Sequence, residues 1–495
     1  MPYNPGARWV HGKGLLGEYW ETMEAPPAPG RVRKPTPWVT YALIAANVIV
    51  YLYTSASNGF MAVSNYWVNV GAYTPILPLI DPSSIYRIFT SMFMHADPLH
   101  IFFNMYFLYL FGRGVEAALG PIPYLILYLV SGVAAVVFHT AFSYLFGGAA
   151  SLTIPVLGAS GAISGVLGAY LILYPGTKLL VCTWFIFLPF CFPIYSAYLL
   201  IFWFALQVLY GMASVGAGVA FFAHAGGFVT GVALLPLLAR RERIEALRGL
   251  GVRRYFGFIE FVRGRLGLAA RRGLGGAIKA FFAVLVALLV VGSAYAVLTA
   301  PSAPLVDAMK INMVFDHTPE TGYVVYNHAT LTPLGLELVP PEVRVLLNRL
   351  RAAGLLYNPA LAGRVVDFAD RMLEGAVSVC GTPVRVSIYV RSFHGVYDRR
   401  GFLLEAEGTI ESPVIYVTSG SPIVCRYSLS PTPVLMEFDL HTREALSIAD
   451  LITPLAAVSL LLSVASLATV FGKDKDLVIT PFGAETGGVE GVVPI

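Results

Sequence analysis

The residues of this chain that can do chemistry lie in or beside its apolar segments. Ser160 stands in the stretch Gly158-Ala159-Ser160-Gly161-Ala162-Ile163-Ser164-Gly165, which opens an apolar segment running to about Tyr174. That is long enough for most of a membrane span. His224 stands near the start of another apolar segment, Phe221 to Leu238, and His95, His100 and Asn104 gather at the start of a third. A polar group in hydrocarbon is costly and is a candidate for function by default. Serine alone is a poor nucleophile and needs an adjacent base, for which histidine is the usual choice. Attack on a peptide carbonyl also needs donors for the developing oxyanion. Asn104 offers an amide N–H and His100 a ring N–H, and a spacing of four puts both on one helix face. The backbone N–H of Ser160, near a helix N-terminus, is a further donor. These residue types suit hydrolysis of a peptide bond, with Ser160 as nucleophile and His224 as base.

The elements that must position them are membrane helices. The chain has 495 residues, 57% hydrophobic and 13% charged, with a mean hydropathy of +0.70. A soluble chain carries about a quarter charged residues, so this composition excludes a soluble globular enzyme. The net charge of +4 gives no reason to expect a nucleic-acid partner. Apolar runs predict spans at Trp38 to about Thr54, Leu99 to about Phe111, Ile122 to about Phe146, the Ser160 segment, Ser196 to Met212, Phe221 to Leu238, Ala280 to about Ala300 and Ile448 to Val470. Arg31, Arg33 and Lys34 precede the first span, and a run from Arg240 through Arg272 follows the sixth. By the positive-inside rule both flanks are cytoplasmic, and six crossings agree with that. The polar stretch before the first span lacks the pattern of a cleaved signal peptide. The apolar stretch 179–193, interrupted by Pro189 and Pro193, reads as a hairpin or interfacial piece on the inner side. Under this topology, drawn from basic residues alone, Ser160, His224, His95, His100 and Asn104 all fall at the outer side.

Blander meanings exist for each feature. Gly161 and Gly165 form one GxxxG and Gly227 and Gly231 another, and such spacings let two membrane helices pack closely whether or not there is chemistry nearby. A lone serine in a span usually bonds back to a helix carbonyl. His139 reads as structural, and Gln207 likewise unless it faces a cavity. A proton-coupled carrier would show charges at mid-membrane and repeats, and neither is evident. The shared depth of the polar residues is what separates them from these alternatives.

Together these stretches resemble the rhomboid family of intramembrane serine proteases. Gly158-Ala159-Ser160-Gly161 matches the family's nucleophile motif, and Ala223-His224-Ala225-Gly226-Gly227-Phe228-Val229-Thr230-Gly231 resembles its histidine helix. His95-Ala-Asp-Pro-Leu-His100-Ile-Phe-Phe-Asn104 is similar to its His-x4-His-x3-Asn segment, and Gly112-Arg-Gly-Val-Glu116 to the family's next stretch along the same helix. The resemblance covers about residues 38 to 238. It implies a six-helix core and a Ser160–His224 dyad in a water-filled cavity open to the outside. It implies an oxyanion hole of His100, Asn104 and the Ser160 amide, and a substrate that is another protein's transmembrane segment, admitted laterally. No metal or cofactor is expected. Two positions depart from the pattern: Tyr86, before Arg87, replaces a tryptophan, and Ser164 replaces the aromatic that in many relatives stacks on the histidine. Packing or some other group must then hold the His224 ring.

The expected fold is an all-α polytopic membrane protein, with a six-helix rhomboid-like core plus two extra transmembrane helices flanking a small α+β extramembrane domain. The expected segments are a cytoplasmic tail (1–37), the core (38–239), a basic linker (240–276), a seventh span (277–300), an outer α+β domain (301–445), an eighth span (446–472) and a cytoplasmic tail (473–495). In the outer domain the pattern predicts helices at Pro341 to Ala353 and Ala360 to Val377, and strands at Val384 to Val390, Val414 to Thr418 and Val434 to Phe438. Cys380 and Cys425, near strand-like pieces on the outer side, are disulfide candidates. His317, His328, His394 and His441 show no metal-ligand spacing. The expected function is intramembrane serine endopeptidase in the plasma membrane of a prokaryote, with both termini cytoplasmic, the site open to the outside and oligomeric state open. The alternative is a catalytically silent relative that binds and routes membrane proteins.

Overall fold

A computed structural model of the chain describes residues 8–14, 17–23, 36–185, 188–213, 219–248, 251–255, 258–262, 273–421 and 424–480. Positions 8–14, 17–23, 182–185, 188–190, 251–255, 258–262, 417–421 and 424–426 are described by backbone alone. Arg263, Arg265, Arg271 and Arg272 of the basic run, and the expected tail beyond residue 480, lie outside the described residues. Residues 1–36 form one unit, in which β1 (Arg8–Gly14) and β2 (Gly17–Met23) pair antiparallel. Residues 37–495 form the other.

The second unit begins with α1 (Trp38–Ser55). A connecting segment of short helices follows: α2 (Asn65–Gly71), α3 (Leu77–Ile80) and α4 (Arg87–Ser91). Then come α5 (Pro98–Leu119), α6 (Pro121–Ser151) and α7 (Ser160–Leu173). A hairpin of β3 (Lys178–Phe185) and β4 (Leu188–Tyr195) leads to α8 (Ser196–Met212), α9 (Phe221–Leu238) and α10 (Arg241–Arg248). The hairpin occupies the Pro-interrupted apolar stretch, with Cys182 directly opposite Cys191, and Cys191 is disulfide-bonded.

Five helices are long and apolar enough to cross a bilayer: 38–58, 121–151, 221–238, 276–302 and 448–472. Two shorter apolar helices, α7 and α8, lie among them. Large apolar side chains stand exposed along their outward faces, among them Ile49, Phe102, Phe202, Val291 and Leu461, as lipid-facing surface requires. The chain is a polytopic membrane protein. α7 differs from its neighbours: every position from Gly161 to Leu173 is buried, so this helix touches protein on all sides. That is why it is uniformly small or apolar rather than amphipathic. α5 extends eight residues beyond the expected end at Phe111, because Glu116 near its end is buried and paired. The Glu116 carboxylate accepts from the Val39 and Thr40 N–H groups and the Thr40 hydroxyl at 2.7–2.9 Å. It thereby caps the start of α1 with a negative charge.

After β5 (Gly251–Tyr255), β6 (Phe258–Val262) and α11 (Gly276–Thr299) the chain enters a sheet domain. Its elements are β7 (Leu305–Phe315), β8 (Thr318–Asn327), β9 (Pro333–Gly335), α12 (Pro341–Ala352), β10 (Val365–Val379), β11 (Thr382–Tyr397), β12 (Leu403–Ser412), β13 (Ile415–Ser421), β14 (Val424–Leu429) and β15 (Val434–Ser447). α13 (Ile448–Gly472) and the short α14 (Asp474–Leu477) close the described chain. Seven strands make one antiparallel sheet in the order β10-β11-β12-β15-β7-β8-β9. α12 packs Val343, Leu346 and Leu350 into a core with Met309, Ile311, Val386, Ile388, Ile410 and Phe438.

One expectation fails here. The stretch from Ala360 to Val377 is no helix: it is the edge strand β10, in ladder with β11 from Val365↔Val396 to Val379↔Thr382. Its Ala, Arg, Met, Leu and Glu residues favour helix, but pairing with a long β-rich neighbour outweighs that weak preference. Cys380, in the turn of this hairpin, is disulfide-bonded. The side chain of Cys425 lies outside the described side chains.

Candidate active site

The site is built at the start of α7. Gly158 has φ +128°, a conformation favouring glycine, and its N–H donates to the Ser91 carbonyl at 2.9 Å. A Cβ there would sit 2.8 Å from His100 Nε2 and 3.7 Å from Ser160 Oγ. The missing side chain thus leaves open a spot flanked by both atoms. Ser160 is the first residue of α7, so its backbone N–H has no partner within the helix. His224 lies in the first turn of α9, and its Nε2 stands 2.7 Å from Ser160 Oγ.

Glycine packing makes that approach possible. A Cβ on Gly227 would fall on the carbonyl oxygen of Gly161, and one on Gly231 on that of Gly165. Gly168 faces the Phe228 carbonyl in the same way. Gly161 and Gly165 themselves turn their Cα faces to Ala135 and Ser131 of α6. α7 is therefore wedged between α6 and α9 at backbone contact, as small residues allow.

His100 and Asn104 come from α5, whose start is capped by Asp97: its carboxylate accepts the His100 N–H at 2.9 Å. His100 Nδ1 faces the Ala96 N–H at 3.4 Å. That nitrogen accepts, so Nε2 carries the ring hydrogen, on the side of Ser160. Asn104 spends one amide N–H on the His100 carbonyl at 2.8 Å and keeps a second. The His95 ring packs edge-on against that of His100, 5.1 Å between centroids. A cavity of about 720 Å³ joins these groups, lined by His100, Asn104, Ser160, Ser164 and His224 and walled by Phe103, Phe107, Leu167 and Trp203.

Two neighbours of the His224 ring escape a reading of the sequence. Gln207 Oε1 stands 2.8 Å from His224 Nδ1, and the Trp203 ring lies 5.9 Å from the imidazole, tilted by 34°. Both come from α8, one turn apart. Ser164 instead turns its hydroxyl back to the Ser160 carbonyl at 2.6 Å. One signal was available: Gln207 is the only glutamine in the chain. His139 is buried in α6 beside the Ser143 hydroxyl at 3.3 Å and is not among the cavity's lining residues. Among the described residues no cluster of three or more His, Cys, Asp or Glu side chains is arranged to hold a metal ion.

Comparison with known proteins bears on residues around this site. Residues 82–241 match the family model described as Rhomboid domain. Rhomboid protease AarA of Providencia stuartii is 33% identical over 144 residues, 27% of this chain and 50% of that protein. Rhomboid protein 1, mitochondrial, of Saccharomyces cerevisiae is 33% identical over 144 residues, 29% of this chain and 38% of that protein. RHOMBOID-like protein 1 of Arabidopsis thaliana is 28% identical over 223 residues, 40% of this chain and 52% of that protein. The chain thus spans about half, or less, of the length of these relatives.

Proposed function

The chain belongs to the rhomboid family, and from that premise we propose that it is a serine endopeptidase acting within the membrane on the transmembrane segments of other proteins. The observation that carries this reading is the 2.7 Å contact of Ser160 Oγ with His224 Nε2 inside the cavity that His100 and Asn104 share. In the proposed reaction His224 Nε2 takes the Ser160 hydroxyl proton as Oγ attacks the scissile carbonyl. The oxyanion so formed is met by the His100 Nε2–H, the free Asn104 N–H and the Ser160 amide, donors fixed before the charge develops. His224 then gives the proton to the departing amine. A water, deprotonated by the same nitrogen, releases the acyl group from Ser160. The cavity's depth among apolar helices suits a substrate that arrives from the bilayer.

The proposed architecture is six core spans, α1 and α5 to α9, followed by α11 and α13 flanking the sheet domain. With the basic residues inside, both described ends are cytoplasmic and the site opens outward. A prokaryotic plasma membrane is the proposed location. The alternative, a silent relative that binds and routes membrane proteins, requires no serine–histidine contact and is disfavoured by it. The test is labelling of the purified protein by a fluorophosphonate, together with cleavage of model transmembrane segments. Both are expected from the unmodified chain and lost in Ser160→Ala and His224→Ala. An unmodified chain that neither labels nor cleaves overturns the reading.

A further inference from the structure

A serine–histidine pair without a third member leaves two questions: which ring nitrogen carries the hydrogen, and what fixes the ring plane. The contacts of Gln207 answer both. Its Nε2 faces the Trp203 carbonyl at 3.4 Å, an acceptor, so the N–H end of the amide belongs there. Oε1 then faces His224 Nδ1 at 2.8 Å, and two acceptors cannot share that contact. Nδ1 must therefore carry the hydrogen. In the neutral ring Nε2 is then left with its lone pair toward the Ser160 hydroxyl at 2.7 Å, the tautomer that a base needs. Gln207 is itself buried, 7% exposed. Trp203, one turn earlier on α8, lies against the same ring.

Resting on the protease reading above, we propose that Gln207 is the positioning residue of this site, completing a Ser160–His224–Gln207 relay in place of the aromatic that Ser164 lacks. The amide suits its surroundings. In a triad the third group holds the tautomer and steadies the imidazolium, but a carboxylate at this depth would itself be a buried charge. A neutral carbonyl dipole holds the Nδ1–H in the resting site. Once the proton of Ser160 has moved to Nε2, the same hydrogen bond becomes charge-assisted and stronger. No proton passes to Gln207, and its own bonding is unchanged through the cycle. The other titratable rings near His224 are His100 on α5 and His139 on α6, and neither is altered by substitution at position 207.

The test compares Gln207→Leu, which removes the acceptor at similar volume, with Gln207→Glu, which keeps one. Gln207→Leu should retain the melting temperature within a few degrees and the KM for a model transmembrane segment. Its kcat and its rate of fluorophosphonate labelling should fall roughly 10- to 100-fold, the scale of a misplaced catalytic group. Gln207→Glu should recover most of that loss, and the acid limb of its kcat profile should move to higher pH, because an added carboxylate favours the imidazolium. A merely structural glutamine would move neither the kcat-to-KM split nor the acid limb. If Gln207→Leu stays within threefold of the unmodified chain, or Gln207→Glu is as impaired as Gln207→Leu with its acid limb unmoved, the role is overturned while the protease reading stands. An unmodified chain that neither labels nor cleaves overturns both.

Discussion

A donor that is already occupied contributes less to catalysis than one held in reserve, and Asn104 is half occupied. One of its amide hydrogens closes on the His100 carbonyl, so a single N–H is left for an oxyanion. Asn104→Ala is therefore expected to lower kcat by about 100-fold, the lower end of what an oxyanion donor is worth. KM should be little changed, since the interaction forms only as the carbonyl becomes tetrahedral. Steady-state cleavage of a model segment checks this, and a raised KM at unchanged kcat would instead make Asn104 a substrate-binding group. Of the residues at this scale, Ser160, His224, His100 and Asn104 were legible in the sequence, because hydroxyl, imidazole and amide groups are conspicuous in apolar runs. Gln207 was equally conspicuous by type. What the sequence lacks is the register between α8 and α9, which brings positions 207 and 224 together from separate helices, so no local spacing pairs them.

Helix α7 is held by backbone contact, so its glycines divide into those that face rigid neighbours and those that do not. At Gly227 the atom in the way is the Gly161 carbonyl oxygen, which cannot swing aside as a side chain can. Gly227→Ala is expected to cost about 1–3 kcal/mol of stability, the scale of overpacking. It should also slow fluorophosphonate labelling, because Gly161 adjoins Ser160 and the two helices must part. Gly276, at the start of α11, has open space where its Cβ would go. Gly276→Ala should be neutral or stabilising by up to about 1 kcal/mol, with labelling unchanged. Thermal melts and labelling rates on the two variants give the comparison, and equal effects would overturn the backbone-contact account. The GxxxG spacings were readable in advance. That Gly161 and Gly165 face α6, leaving Gly168 to meet α9, was not, because spacing along a helix does not say which neighbour lies on which side. The expected helix at 360–377 failed for a related reason: β10 gets its conformation from a partner strand, not from its own composition.

At the scale of the whole molecule the sheet domain and the Ser160 site are linked by one run of contacts. Ile76, Leu77, Ile80 and Leu152 share a hydrophobic cluster with Val306, Tyr323, Val325 and Leu338 of the sheet domain. Arg443 donates to the Ile80 carbonyl at 2.7 Å, and the Thr153 hydroxyl to Glu337 at 3.2 Å. Tyr73 pairs by backbone with Val156, two residues from the strained Gly158. The other end of α7 is held as well, where the Ile479 N–H donates to the Leu173 carbonyl at 2.7 Å. Asp81 is the titratable point in this linkage. Hydrogen bonds from Ser83 chiefly, then from Tyr323, with Lys310 nearby and burial opposing, hold its carboxyl down to about 2. A lowered carboxyl contributes stability above its ordinary value near 4 and loses it as pH falls toward 2. The melting temperature should accordingly drop between about pH 4 and pH 2 by less in Asp81→Asn than in the unmodified chain. Parallel profiles would remove Asp81 from the linkage. None of this docking was legible in the sequence, which shows that residues 301–445 change character but not that they share a core with the segment between α1 and α5. That shared core decides what the domain does for the protease. A module that merely recruits substrate would leave the catalytic helices intact when removed. Deleting residues 277–472 here strips the cover from Ile76, Ile80 and Leu152 and from the faces of α6 and α9 that meet α13. The expected result is a protein that melts lower and labels more slowly, while per folded molecule its ranking of model transmembrane segments is unchanged. Unchanged melting and labelling with an altered ranking would instead make the domain a recruiter, because selectivity would then reside in a surface that stability does not need.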